Sequence, residues 1–251
     1  EIILVDDGST DSTLVQINNF QKKHSQLSIL VKTQPHLGAG AARNLGALHS
    51  SGEILVFVDA DMEFDQDFLT FLTVPIRKND VIGTFSKEEF VLNRKNKWAS
   101  AWAVIRGFEP GRMHPKNYPN KQPVFRAITK AAFDKVNGFD LNRGYDDDWT
   151  LFEKLGKQAT SAPNAIFYHY NPDNLKEIFT QSRWMAKRRY KLNILGKIIA
   201  LLKKNIIISL INSTIAAIKN TSIHVFVANF VFDLGFSLGL LESITTSKTS
   251  K

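Results

Sequence analysis

The chain has 251 residues, 43% of them apolar, and a formal net charge of +8, enough to bury the core of one α/β domain with an appendage. That apolar content excludes a disordered chain, and the absence of cysteine excludes both a disulfide framework and a thiolate metal site. The charge is uneven: Lys176 to Lys204 hold nine Lys or Arg against the single acid Glu177, a basic face suited to a nucleic acid, an anionic membrane or a diphosphate.

The chain opens at Glu1 in a short apolar strand that runs to Val5, with no signal peptide before it. Gly8 permits a tight turn, Ser and Asp supply a helix N-cap, and Leu14, Ile17 and Phe20 recur at helical spacing. Leu27 to Lys32 reads as a second strand. His36 to Asn44 is a Gly-rich loop entering a helix to about Ser50. Ile54 to Val58 is a run of five apolar residues, the pattern of a strand buried on both faces in a parallel sheet. Three strands separated by two helices predict a right-handed βαβαβ unit with a parallel sheet.

A helix is expected from Asp65 to about Val74, ended by Pro75, and a further strand over Val81 to Phe85. Lys95 to Pro123, with Trp98, Trp102, Pro115 and Pro119, reads as an irregular, mobile loop over a site. Val124 to Thr129 is a strand, Lys130 to Val136 a short helix and Asn137-Gly138 a turn. Asp146 to Leu155 has helical periodicity with acids crowding its first turn, and Ala165 to Tyr170 is a last strand that carries His169. Beyond Asn174 the patterns are helical. Ile206 to Ile218 is short for a membrane span, and Ile223 to Leu241 includes His224, Asn229 and Asp233, so helices lying in a membrane interface are favoured over two clean spans, with a re-entrant hairpin or a soluble helical cap as alternatives.

Asp59 and Asp61 stand where the central strand must end, the edge of an α/β sheet where ligands bind. Carboxylates so spaced can share a divalent cation, and Mg²⁺ takes one or two of them together with substrate phosphates. Gly38 and Gly40 let backbone approach a ligand, and a helix N-terminus near Ala41 favours an anionic group. A dinucleotide-binding reading of this loop is poorer, because its third glycine would fall at Arg43.

Five runs stand in register: Val5-Asp6-Asp7-Gly8-Ser9-Thr10-Asp11-Ser12-Thr13, Gly38-Ala39-Gly40-Ala41-Ala42-Arg43-Asn44-Leu45-Gly46, Phe57-Val58-Asp59-Ala60-Asp61, Val136-Asn137-Gly138-Phe139-Asp140 and Asp147-Asp148-Trp149. In their order and spacing, over Glu1 to about Tyr170, the chain resembles the inverting glycosyltransferases of family 2. The resemblance implies the GT-A fold, a Rossmann-like mixed, mostly parallel sheet with helices on both faces. It also implies that a first strand and helix of the family precede the text seen here. The expected organisation is a catalytic domain over residues 1–172 and basic, apolar, membrane-associated helices over 173–251.

The resemblance assigns roles. Asp6 and Asp7 would accept hydrogen bonds from the nucleotide base, with Gly38, Gly40 and Arg43 at the diphosphate. Asp59 would face the ribose or the metal, Asp61 would bind a divalent cation, Mg²⁺ or Mn²⁺, and His169 would add a metal ligand. Asp148 would be the general base, with Asp147 in place of the more usual Glu. Thr180-Gln181-Ser182-Arg183-Trp184 has its Gln one residue away from the position found in processive synthases, which argues against a polymer synthase. The implied partners are a nucleotide-diphosphate sugar, a saccharide or lipid-linked acceptor and a membrane surface, on the cytoplasmic face; no motif that reads nucleic acid accompanies the charge. The alternatives are a nucleotide-sugar-binding module without catalysis and a nucleotidyltransferase of related fold.

Overall fold

The computed structural model describes residues 1–245 except Pro110, Lys116 and Asn142. Strand β1 (Ile2–Asp6), helix α1 (Thr13–Lys23) and strand β2 (Ile29–Thr33) form the first half of the expected unit, with β1 and β2 parallel and Asp6 opposite Thr33. Helix α2 (Ala39–Leu48) packs on β1 and leads to β3 (Ile54–Val56). There follow β4 (Met62–Phe64), α3 (Phe68–Arg77), β5 (Gly83–Phe85), β6 (Glu89–Val91) and α4 (Lys97–Ile105). Next come β7 (Lys121–Gln122), β8 (Ala127–Thr129), α5 (Lys130–Lys135), a 3-10 turn (Gly144–Trp149), α6 (Thr150–Leu155), β9 (Ala159–Ser161) and β10 (Phe167–His169). The C-terminal helices are α7 (Leu175–Met185), α8 (Asn193–Leu202), α9 (Ile206–Asn220) and α10 (Ile223–Thr245). Residues 246–251 of the expected helical segment lie outside the described residues.

The third strand does not continue the first pair. It lies antiparallel to β8, with Leu55 opposite Ile128, and opens a five-stranded sheet in the order β3-β8-β5-β9-β7. A third sheet, β4-β10-β6, sets β10 antiparallel to β4 and parallel to β6. Phe57, beyond the end of β3, still donates its N–H to Arg126 O at 2.9 Å, two residues before Asp59.

Phe68, Leu72 and Ile76 recur every four residues on α3 and are buried with Met62 and Phe167 against the third sheet. Each such side chain contributes about 1.5–3 kcal/mol on burial. Pro75 does not end this helix: the chain continues to Arg77, and Lys78 N–H donates to Val74 O at 3.0 Å. On the other side, Leu55, Phe57, Phe125, Ile128, Phe133, Phe139 and Leu151 form the core that carries the acidic 3-10 turn.

The stretch expected as an irregular loop contains α4. Asn96 Oδ1 accepts from Trp98 and Ala99 N–H and caps it, and Ala99, Ala101, Trp102 and Ala103 are buried. The following residues are tied to β6, since Val91 N–H donates to Gly111 O at 2.9 Å and Met113 N–H to Glu89 O at 3.1 Å. Pro110 and Lys116 of that stretch lie outside the described residues.

Helix α10 packs against α4, α7, α8 and α9, so the C-terminal core includes Trp102 beside Ile178, Met185, Val225, Phe236 and Leu240. Two glycines allow the α7 contact: a Cβ at Gly235 would stand 2.5 Å from Phe179 O, and one at Gly239 would stand 2.1 Å from Arg183 O.

Candidate active site

The ends of β3 and β10, the start of α2, the 3-10 turn and the segment after α4 surround a cleft of about 1460 Å³. The segment after β3, which turns at Ala60-Asp61, brings Asp59 and Asp61 to its lining, and the Gly-rich loop brings Gly38, Gly40 and Arg43. Asp147 and Asp148 enter from the 3-10 turn.

Arg43 is the centre of this arrangement. Its Nη1 donates to Asp148 Oδ1 at 2.6 Å and to Asp147 Oδ2 at 3.2 Å, and its Nη2 donates to Asp59 Oδ1 at 2.9 Å. The guanidinium also lies 5.7 Å from the centroid of the Phe139 ring. Burial alone would weaken its hold on the proton, but the charges of Asp148, Asp59 and Asp147 outweigh it and raise its pKa further. Asp59 is gripped from a second side, as Arg126 Nη1 donates to its Oδ2 at 3.2 Å. Burial would raise this carboxyl, but Arg126 and Arg43 together hold it below its ordinary value.

Asp147 behaves differently from its neighbours. It is buried beside Gly40, where an added Cβ would come within 3.2 Å of its Oδ2. Burial, then the adjacent Asp148 charge, push its pKa up to about 6 despite Arg43. Asp148 is the more exposed of the pair.

A second polar chain runs across the third sheet. Asp61 precedes β4, His169 ends β10 and Glu89 begins β6, so three adjacent strands deliver them side by side. His169 Nε2 lies 3.0 Å from Asp61 Oδ2 and its Nδ1 2.9 Å from Glu89 Oε1. Glu89 Oε2 in turn meets His114 Nε2 at 2.9 Å, and the His114 ring stacks on Tyr118 with centroids 4.1 Å apart. Burial opposes charge on His169, but the hydrogen bonds to Asp61 and Glu89 prevail and raise its pKa to about 10. Glu89 is itself buried, yet its bonds with His114 and His169 hold it far below the carboxylate range.

Among the described residues no three His, Asp or Glu side chains gather closely enough to enclose a metal ion. Asp59, one of the three expected ligands, has both oxygens engaged by arginines. Asp61 and His169 do converge on the cleft, an oxygen and a nitrogen donor that together suit Mn²⁺, whereas Mg²⁺ prefers oxygen ligands alone.

Asp6 and Asp7 are not among the residues lining the cleft. Asp7 instead fixes the Gly-rich loop: it accepts from Gln34 Nε2 at 2.6 Å and from Leu37 and Gly38 N–H, each at 2.9 Å. These bonds outweigh burial and lower its pKa. Gly38 holds φ at +96°, where a side chain is strained. Asp6 accepts from Ser9 N–H at 3.2 Å, and its Oδ1 is buried with no hydrogen-bond partner among the described residues.

Arg126, Glu89 and His114 were absent from the candidates read in the sequence. Glu89 had a signal, since a carboxylate inside the short strand Glu89-Phe90-Val91 must find partners when that strand is buried. Arg126 had a weaker one, a cation between Phe125 and Ala127 in an apolar strand.

The profile described as Glycosyl transferase family 2 matches residues 1–136. A probable glycosyltransferase of Bacillus subtilis is 24% identical over 97% of this chain and 62% of its own length. A dolichyl-phosphate β-glucosyltransferase of Trichomonas vaginalis is 38% identical over 38% of this chain and 27% of its own. The chain thus spans less than two thirds of the length of either relative. Among solved structures, a mannosyltransferase from Pyrobaculum calidifontis, in complex with GDP-mannose and Mn²⁺, aligns with a TM-score of 0.60 at 16% identity, over 99% of this chain and 78% of that one. That likeness is one of fold, the GT-A arrangement.

Proposed function

The chain belongs to glycosyl transferase family 2, and from that premise we propose that its cleft transfers a sugar from a nucleotide-diphosphate sugar to an acceptor hydroxyl or phosphate with inversion at the anomeric carbon. The observation that carries this reading is the convergence of Asp148, Asp147 and Asp59 around Arg43 in the cleft that Asp61, paired with His169, also lines. Acids gathered at strand ends without need of one another would repel; here a buried cation holds them in place.

Asp148 removes the acceptor proton as the acceptor oxygen forms its bond to the anomeric carbon and the bond to the departing phosphate oxygen breaks. Its greater exposure supports it over Asp147 as the base. Asp147, buried and bound to Arg43, orients that cation and the loop around Gly40. Asp61 and His169 would hold the divalent cation, with Asp59 close by at the ribose, and the metal would supply charge stabilisation for the leaving diphosphate. Gly38, Gly40 and the start of α2 suit the diphosphate. Asp7 shapes the loop, and Asp6, whose Oδ1 is buried and unpartnered outside the cleft lining, would meet a base N–H only with the residues that cover it moved aside. The Mn²⁺ and GDP-mannose of the Pyrobaculum structure support a donor and metal of these kinds.

The acceptor in this reading is a saccharide or a lipid-linked sugar or phosphate, met at the cytoplasmic face of a membrane. The division into a catalytic part over residues 1–172 and a membrane-associated part over 173–251 is part of the same reading. Calorimetric titration of UDP, GDP and dTDP, with Mn²⁺ or with chelator, tests the donor site. Metal-dependent binding of one diphosphate, lost in Asp61→Ala, is the expected result. Binding without turnover in the presence of acceptors would assign a binding module instead. A product that retains the donor's anomeric configuration, read by proton NMR, would overturn the mechanism.

A further inference from the structure

Among the described helices, exposed large apolar side chains are densest on α8 and α9, and Ile223, Leu234, Leu238 and Leu241 of α10 are exposed beside them in the chain. On α8, Ile194, Leu195, Ile198 and Leu202 fall within one face, and all four are exposed. On α9, Ile207, Ile211, Ile215 and Ile218 share a face and are exposed as well. The opposite side of α9 is polar and buried, where Ser209 Oγ donates to Asp233 Oδ2 at 2.9 Å and Asn229 Nδ2 to Ser213 Oγ at 2.9 Å. The usual order of an amphipathic helix is reversed: the bundle takes the serines and water takes the isoleucines. A shallow groove lined by Leu202, Ile206 and Leu234 joins the end of α8, the start of α9 and α10 into one patch, and an apolar patch of that extent marks an interaction surface.

The charges around it select the partner. Residues 188–223 carry seven Lys or Arg and no acid. Lys191, Lys203 and Lys219 stand exposed before α8, between α8 and α9, and at the end of α9. A partner must therefore be apolar beneath the isoleucines and anionic at their rim, which describes the boundary of an acidic lipid leaflet. A second copy of the chain would bring like charges together.

We propose that α8 and α9 lie in the interface of an anionic bilayer with their isoleucine faces sunk into the acyl boundary, while α10 stays in the protein as their support. This rests on the membrane-surface reading above and deepens it by naming the face. Lys204 Nζ, at 2.5 Å from the buried Asp233 Oδ1, and Ser209 fasten both helices to α10. Arg188, Arg189 and Lys191, immediately before α8, line the mouth of the cleft, so docking sets that mouth at the level of the lipid headgroups.

Flotation of the chain with vesicles of phosphatidylcholine alone or mixed with phosphatidylglycerol tests the assignment. The parent floats with the mixed vesicles and is released by salt. Ile207→Ser, Ile211→Ser and Ile218→Ser combined weaken partitioning by about tenfold or more, and Lys203→Ala with Lys219→Ala weakens it by about fivefold per lysine. Far-UV circular dichroism and melting temperature of each variant establish that it is folded. If the folded triple-serine variant floats as the parent does, this face is wrong although the membrane reading stands. If the parent floats with neither vesicle, both fall, and a dimer seen by sedimentation and lost in the triple variant would assign the face to a second copy.

Discussion

Arg43→Gln isolates the interaction on which the cleft depends. The variant removes the partner of three carboxylates. Asp59 keeps Arg126 at 3.2 Å, and the side chains of Asp59 and Asp148 are 36% and 38% exposed, so water screens them and each costs only about 0–1 kcal/mol. Asp147, with its side chain 11% exposed, loses its cation, and because it can take up a proton instead of remaining a buried charge, the cost is limited to about 1.36 kcal/mol for each pH step above its folded pKa of about 6, or about 2 kcal/mol at pH 7.5. That is an appreciable share of the ~5–15 kcal/mol that holds a domain together. Urea unfolding followed by fluorescence measures it. The pH dependence identifies the group responsible. The folded pKa of Asp147, about 6, lies above the ordinary 3.8, so the fold prefers its protonated form. Stability from this group is full below the ordinary value and lost as pH rises through 6, in all about 3 kcal/mol at about 1.36 kcal/mol per pH step. Arg43 draws that pKa down, so the deficit of Arg43→Gln should be largest above pH 7 and shrink towards pH 4. Asp147→Asn in the same chain should recover most of it. A deficit below about 1 kcal/mol at pH 7.5, or one that does not change with pH, would refute the argument.

Asp148→Asn should lower turnover by about 10²–10⁴-fold while the affinity for the nucleotide diphosphate stays that of the parent, read by kinetics and calorimetry on the same preparation. Glu89→Gln leaves the shape of the His169 support but removes its charge. Mn²⁺ affinity, measured by electron paramagnetic resonance with the diphosphate present, should fall by about 10–100-fold; unchanged affinity in this variant alongside loss in His169→Ala would remove Glu89 from the account. Lys204→Met should cost about 3–5 kcal/mol in urea unfolding because Asp233, 1% exposed, loses its cation. The paired variant Lys204→Met with Asp233→Leu should return to within about 1 kcal/mol of the parent.

Local chemistry was legible where each residue answers to its neighbours. The strand at Ile2–Asp6, the helix entered from Gly38 and the strand at Ile54–Val56 follow from apolar runs and glycine positions in the order read. The pairing of β3 with β8 did not follow, because parallel crossovers and antiparallel partners look alike in short apolar runs and only tertiary contact decides. Helix α4 was hidden for another reason. Trp98 and Trp102, four residues apart, with alanines between them and Asn96 before them, carry a helical signal that the surrounding glycines and prolines mask. In the cleft, the sequence shows which carboxylates stand at strand ends but not which cation meets them. Arg43 reaches Asp147 and Asp148 across 104 and 105 positions, and no local pattern encodes such a pair.

Asp233 shows the same limit from the other side. Within Ile223–Thr245, the one helix among the described residues long and apolar enough to cross a membrane, a carboxylate argues against a span because charge at the bilayer centre is costly. The sequence does not say what the carboxylate does instead. In the fold it accepts from Lys204 and Ser209, and Gly235 and Gly239 beside it bring α7 into backbone contact. One side of α10 therefore binds α4, α7 and α9 to one another, while Ile223, Leu234, Leu238 and Leu241 remain exposed on it. The shorter helices α8 and α9, less persuasive by length, keep their isoleucines outside the bundle. Hydropathy ranks these helices by composition, whereas the buried charge of Asp233 fixes which side of α10 faces the bundle.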